Sequence, residues 1–157
     1  MTDGGSSIPE VQALLRVLAA GRDVVELGAA FGEGAAALAE TARSVVTVEL
    51  DPGRAAIARE RLAGLGNVEL LEGDCYEQLR GRGPFGLVFA DGGRPVDWEA
   101  ILALVAPGGL LVKDDLTPGR PVDGDPEREF LLRDPRLAGV ELLTTPSTAA
   151  IVAVRLP

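Results

Sequence analysis

The chain has 157 residues, 46% apolar, 25% charged and 4% aromatic, the make-up of a single folded domain over residues 1–157, and this excludes an extended disordered protein. Fifteen Lys and Arg stand against 24 Asp and Glu, giving −9 with no His; that balance disfavours nucleic-acid binding and removes histidine bases and histidine zinc ligands. Lys113 is the one lysine and Cys75 the one cysteine, so no internal disulfide can form, and with the polar opening MTDGGSSIPE the expectation is a cytoplasmic protein with no membrane segment.

Ser7-Ile8-Pro9-Glu10 has the spacing of a capping box, and Ile8, Val11, Leu14, Leu15 and Leu18 recur at helical intervals. A first helix is therefore predicted up to Gly21. Five short apolar runs follow, at residues 24–27, 45–48, 68–71, 87–90 and 110–112, each followed within two residues by Gly, Asp or Glu. They read as buried strands. Helical segments are predicted between them at 34–41, at 52–65 with Asp51 as N-cap and Pro52 in the first turn, at 76–79, and at 98–105 before Pro107-Gly108-Gly109 turns the chain. A helix over 127–133 and two strands at 140–143 and 149–155, joined near Pro146, complete the pattern. Such alternation implies an α/β fold: a doubly wound, mainly parallel, seven-stranded Rossmann-like sheet with a C-terminal antiparallel hairpin.

The residues at the carboxyl ends of the five parallel strands are Glu26 with Gly28, Glu49, Gly73 with Asp74, Asp91, and Asp114 with Asp115. In an open parallel sheet these ends share one rim, where ligands bind. Gly28 and Gly32 in VVELGAAFGEG let the backbone turn and approach a ligand closely, although an ordinary strand-to-helix turn competes with that reading. Glu49 ends the second strand, where a carboxylate accepts both hydrogen bonds of a ribose diol. The glycines at 28, 32 and 34 do not form a dinucleotide fingerprint, and Glu26 and Glu33 would repel a pyrophosphate. They suit a cationic nucleoside such as S-adenosyl-L-methionine.

On the segments SIPEVQALLRVLAAG, VVELGAAFGEG, VVTVELDP, NVELLEGD, PFGLVFADGG and APGGLLVKDD, the sequence resembles the class I S-adenosylmethionine-dependent methyltransferases, and among them the small catechol-type and caffeoyl-CoA-type O-methyltransferases. The resemblance implies methyl transfer from S-adenosyl-L-methionine to a small-molecule acceptor. It also implies a cofactor set of Glu26, Gly28, Ala30, Gly34, Glu49, Leu50, Asp74, Cys75 and Asp91, with the first four at the methionine end, Glu49 at the ribose, and Asp74 and Cys75 beside the adenine. Asp91, Asp114 and Asp115 fall where that family holds a divalent ion, Asp115 replacing an asparagine; hard oxygen ligands suit Mg²⁺ or Mn²⁺. Asp91, Arg94 and Lys113 are the candidate catalytic residues. Arg94 stands where the family has its general-base lysine, and a guanidinium stays protonated, so it serves an anionic acceptor or a developing oxyanion. Cys75 has the competing reading of a small buried hydrophobe.

With a short stretch before the first helix, the expectation is an open acceptor pocket, to be completed by residues 117–125, TPGRPVDGD, by a partner protein, or by a second subunit of a homodimer built on the sheet edge or first helix. Three other classes compete. They are a non-catalytic S-adenosylmethionine-binding module, a nicotinamide-dependent oxidoreductase, and a nucleic-acid methyltransferase, the last disfavoured by charge and by Ala90-Asp91-Gly92-Gly93 after the fourth strand.

Overall fold

A computed structural model describes residues 7–91 and 96–157. In chain order its elements are α1 (Pro9–Ala19), β1 (Asp23–Leu27), α2 (Glu33–Ala39), β2 (Ser44–Glu49), α3 (Pro52–Leu62), β3 (Val68–Glu72), α4 (Cys75–Gln78), β4 (Phe85–Ala90), α5 (Trp98–Leu104), β5 (Val105–Leu116), α6 (Pro126–Arg133), β6 (Leu137–Thr145) and β7 (Thr148–Arg155). The strands form one sheet in the order β3-β2-β1-β4-β5-β7-β6. Pairing is parallel from β3 to β5 and antiparallel where β7 inserts between β5 and β6. The doubly wound sheet and its terminal hairpin are thus those expected from the alternating pattern. Strand order reverses between β1 and β4, which makes their carboxyl ends the switch point where such sheets form a crevice.

Successive residues of a strand face opposite sides, and the two cores follow this rule. Val24, Val45, Leu87, Phe89 and Val112 pack against α1, α2 and α3 through Val11, Leu15, Leu38, Ala58 and Leu62. Val25, Leu27, Val48, Val88 and Leu111 pack against the other layer, through Leu79, Ile101, Leu102 and Leu131. Burying each large aliphatic side chain contributes about 1.5–3 kcal/mol. Both faces of the central strands are covered, so those strands read as continuous apolar runs.

Local chemistry sets the helix starts. Asp51, Asp74, Asp97 and Asp125 each precede a helix and accept the amide three residues on, from Arg54, Glu77, Ala100 and Arg128 at 2.8–3.2 Å. The capping box expected at Ser7 does not form: Ile8 is the N-cap of α1, without a side-chain bond, and Ser7 is buried against the first glycine loop. A second difference lies at Pro107-Gly108-Gly109, which is carried inside β5, not in a turn. The β4–β5 register shifts there, from Phe85↔Val105 to Leu87↔Leu110. A side chain at Gly109 would meet the Ala106 carbonyl at 2.8 Å and that of Phe85 at 3.0 Å, so only glycine lets the strand resume pairing. Among the described residues no helix is long and apolar enough to cross a membrane.

Candidate functional site

The loop after β1 is fastened to β2 by its backbone. Gly28 and Ala29 both donate to the Val48 carbonyl, at 3.0 and 2.9 Å, and Gly32 donates to Ala29 at 2.8 Å. The path requires φ of 98° at Gly28, 47° at Ala30 and 88° at Gly32; glycine adopts such values freely, whereas alanine is strained there. Glu49 compensates the strain. Its Oε2 accepts the Ala30 amide at 2.7 Å and its Oε1 accepts the Asp51 amide at 3.0 Å. Arg54 lies over the Phe31 ring at 5.8 Å and covers the loop's outer side.

Beneath the loop lies Glu26, with no exposed surface. The Thr47 hydroxyl donates to its Oε1 at 2.6 Å, while Oε2 has no hydrogen-bond partner among the described residues. A Cβ on Gly34 would sit 2.2 Å from that Oε2 and 3.1 Å from Ser7 Oγ, itself buried and without a partner among the described residues. Burial pushes the Glu26 carboxyl up to about 8, against the Thr47 hydrogen bond, with Asp114 and Glu49 adding like-charge repulsion. A buried carboxyl with an idle oxygen under a side-chain-free helix start is a polar group left for a ligand to satisfy.

On the far side of β2, Gly73 donates to the Glu49 carbonyl at 2.9 Å. Asp74 caps α4, and Cys75 is half-buried against the core, its thiol raised by burial and then by Asp74. Leu50, immediately after Glu49, is 69% exposed and offers an apolar surface beside the carboxylate. Glu26, Gly28, Ala30, Gly34, Glu49, Leu50, Asp74 and Cys75 therefore all lie at the carboxyl ends of β1, β2 and β3 or in the segments that follow them.

Across the switch point, the Asp91 amide donates to the Leu27 carbonyl at 3.1 Å, and the Asp91 carboxyl hydrogen-bonds to that of Asp114. Burial, Asp114 and Glu26 all raise Asp91, so it holds the proton and donates to Asp114. Burial also raises Asp114, whose Oδ1 lacks a hydrogen-bond partner among the described residues. Two carboxylates side by side cannot both ionise.

The expected three-aspartate metal set is not assembled. Pairing of β5 with β7 shifts between Lys113 and Leu116, and this bulge puts Asp115 at φ 59°, exposed, while Asp114 stays 5% exposed. Bulges re-aim side chains in this way. Among the described residues no three His, Cys, Asp or Glu side chains are grouped to hold a metal. Lys113 is also turned from base duty, since its ammonium donates to the Asp114 backbone carbonyl at 2.8 Å. Arg94 lies outside the described residues.

Two contributors escaped the sequence reading. Thr47 interrupts the valines of VVTVE with a hydroxyl in register with Glu26; a polar residue in an inner parallel strand was the available signal. Ser7 resembled a cap, and nothing in its spacing pointed to burial at Gly34.

A methyltransferase-domain profile matches residues 25–116. The protein-L-isoaspartate O-methyltransferase of Anaeromyxobacter dehalogenans strain 2CP-1 is 38% identical over 119 residues, covering 74% of this chain and 53% of that protein. The enzyme of the same name from Rhodopseudomonas palustris strain BisB5 is 35% identical over 118 residues, covering 74% and 51%. The chain thus spans about half the length of these curated relatives. Among solved structures, the O-methyltransferase from Bacillus cereus in complex with SAH superposes with a TM-score of 0.75 at 25% identity, covering 96% of this chain and 82% of that one. The O-methyltransferase TomG from Streptomyces achromogenes, in complex with SAM, gives 0.74 at 24%, covering 100% and 84%. By its sequence match the chain belongs to the methyltransferase-domain family, and its sheet is that of the class I S-adenosylmethionine-dependent methyltransferases.

Proposed function

We propose that the chain binds S-adenosyl-L-methionine along the carboxyl rim of β1, β2 and β3 and directs its methyl group to an oxygen of a small-molecule acceptor on the β4–β5 side. The observation that carries this reading is the pair of carboxylates around the first loop. Glu49 fixes the loop and keeps lone pairs for a ribose diol, while Glu26 Oε2 lies unpartnered beneath Gly34 among the described residues, where a bound ammonium would draw the carboxyl to its ionised form. Leu50 gives the adenine an apolar face, and Asp74 with Cys75 border it.

When bound, the cofactor supplies an electrophilic methyl on a sulfonium. The chain's own contribution is alignment and exclusion of water, and near-attack positioning supplies up to about 7–11 kcal/mol in favourable cases. Asp114, hydrogen-bonded to protonated Asp91, keeps a buried carboxyl oxygen without a hydrogen-bond partner among the described residues, at the β5 end of the rim. The Asp91, Asp114 and Asp115 set does not fit a metal, so no step runs through one. Oxygen as the acceptor atom is supported by the names of the curated relatives and of the B. cereus enzyme.

A second reading, binding without turnover, is favoured by Arg94 at the position of the family's lysine and by Lys113 being held on a backbone carbonyl. Calorimetry with S-adenosylmethionine, S-adenosylhomocysteine and NAD, followed by methyl-transfer assays on phenols and carboxylic acids with and without Mg²⁺, tests both. Binding with turnover supports the enzyme, binding without turnover on any acceptor supports the module, and preference for NAD overturns the cofactor assignment.

A further inference from the structure

Resting on that methyl-transfer reading, we propose that the cleft between the end of β5, residues 117–125 and the start of α6 receives the body of the methyl acceptor, and that this acceptor carries an ammonium group. The cleft encloses about 510 Å³, the size of a small-molecule site, and Asp115, Leu116, Arg120, Pro121 and Glu127 form part of its wall. The β5 bulge joins it to the reaction side. Asp114 turns inward to Asp91 and leaves its buried Oδ1 unpartnered, while the next residue, Asp115, lines the cleft. The cleft thus borders the carboxyl end of β5, next along the chain from Asp114.

The cleft is held in shape by Arg128, 1% exposed. Its guanidinium donates to Asp125 at 2.6 Å, to the Thr117 carbonyl at 2.6 Å, and to both oxygens of Glu141 at 2.8 and 3.0 Å. Both ends of the 117–125 segment are thus tied to one buried group, and a preorganised wall lowers the ordering cost of binding.

Charge selects the occupant. One guanidinium, that of Arg128, serves two carboxylates, Asp125 and Glu141, and Asp123 is neutralised by Arg133. Asp115, Glu127 and Arg120 have no ion pair among the described residues. Negative charge is left in excess. A cleft with one sign of excess charge concentrates ligands of the other sign and rejects like-charged ones.

The test is calorimetry on the full chain saturated with S-adenosylhomocysteine, using tyramine, the matching phenolic propionate and its neutral amide. Tyramine is expected to bind about tenfold more tightly than the propionate, with the amide between. Glu127→Gln is expected to shrink that preference and Arg120→Glu to widen it. Equal or reversed affinities, or binding of none of the three probes, overturn the proposal. Failure of S-adenosylhomocysteine itself to bind overturns the methyltransferase reading instead, so the two failures are told apart.

Discussion

Glu49 Oε2 accepts the Ala30 amide at 2.7 Å, so the acidic end of β2 holds open the loop that follows β1. One carboxylate does two things: it supports a left-handed alanine and it faces the place of a ribose. Glu49→Ala removes both, and Glu49→Gln sets an amide NH₂ against one of the two donating backbone amides. We expect Glu49→Ala to weaken S-adenosylmethionine binding by more than about tenfold, with Glu49→Gln intermediate. Calorimetry that finds wild-type affinity for Glu49→Ala would remove the ribose assignment.

Ala30 itself carries the strain. At φ 47° it meets the cost of roughly 1 kcal/mol or more that a Cβ imposes in the left-handed region, a cost glycine escapes. Glycine's freedom in the unfolded chain offsets part of the gain. Ala30→Gly is therefore expected to raise stability by about 0.5 kcal/mol and Ala30→Val to lower it by at least about 1 kcal/mol. Urea unfolding with unchanged m-values reads both, and a destabilised glycine variant contradicts the strain argument.

What the sequence made legible follows from period and punctuation. Valine runs followed within two residues by Gly, Asp or Glu located the parallel strands, and Asp51-Pro52 located a helix start, because each signal is confined to a few neighbouring residues. Arg128 was not legible, since its partners lie at positions 117, 125 and 141 and meet only after α6 packs on β6. Asp115 looked like a third ligand because it stands where the resembled family has an asparagine ligand; the single-residue bulge that turns it from Asp114 depends on where β7 pairs. Pro107-Gly108-Gly109 has turn chemistry, yet β4 pairs on either side of it, at Val105 and Leu110, and keeps it within a strand.

Gly34 tests the floor of the site. With Glu26 Oε2 2.2 Å from where a methyl group would lie, Gly34→Ala forces the carboxyl or the α2 helix to move. An overpacked core site costs typically about 1–3 kcal/mol. The expected result is that loss of stability together with loss of S-adenosylmethionine binding, seen as absence of a thermal shift on adding the cofactor. Recovery of stability by the smaller Glu26→Ala in the Gly34→Ala background would locate the clash at this pair.

The raised Glu26 carboxyl has a defined pH signature. Folded, it holds its proton up to about 8; unfolded, it loses it near the ordinary 4.5. The native state therefore binds more protons between those values, and stability falls as pH rises through the window. The slope from this one group is roughly 1.4 kcal/mol per pH unit at most. Below pH 4.5 its contribution is complete, and above 8 it is gone. Glu26→Gln, which keeps the shape and the neutral charge, is expected to flatten the stability profile between pH 5 and 8 relative to the native chain, measured by urea unfolding across pH. Parallel profiles would show that Glu26 is already ionised when folded.

Arg128 makes the last case, because its guanidinium is buried while its partners are only partly so. Truncation to alanine leaves Asp125, Glu141 and the Thr117 carbonyl without their donor, and breaking a buried pair from one side costs about 3–5 kcal/mol. Asp125 and Glu141 keep some access to water, which places the expected loss for Arg128→Ala toward the lower end, about 3 kcal/mol. Lysine keeps the charge but lacks the planar fork that reaches all three acceptors, so Arg128→Lys should recover less than half of it. Combining Arg128→Ala with Glu141→Ala removes the stranded carboxylate, and the double variant is expected to be less destabilised than the two single losses added together. If urea unfolding finds strict additivity, the guanidinium does not couple the 117–125 segment to β6, and the shape of the cleft rests on backbone alone.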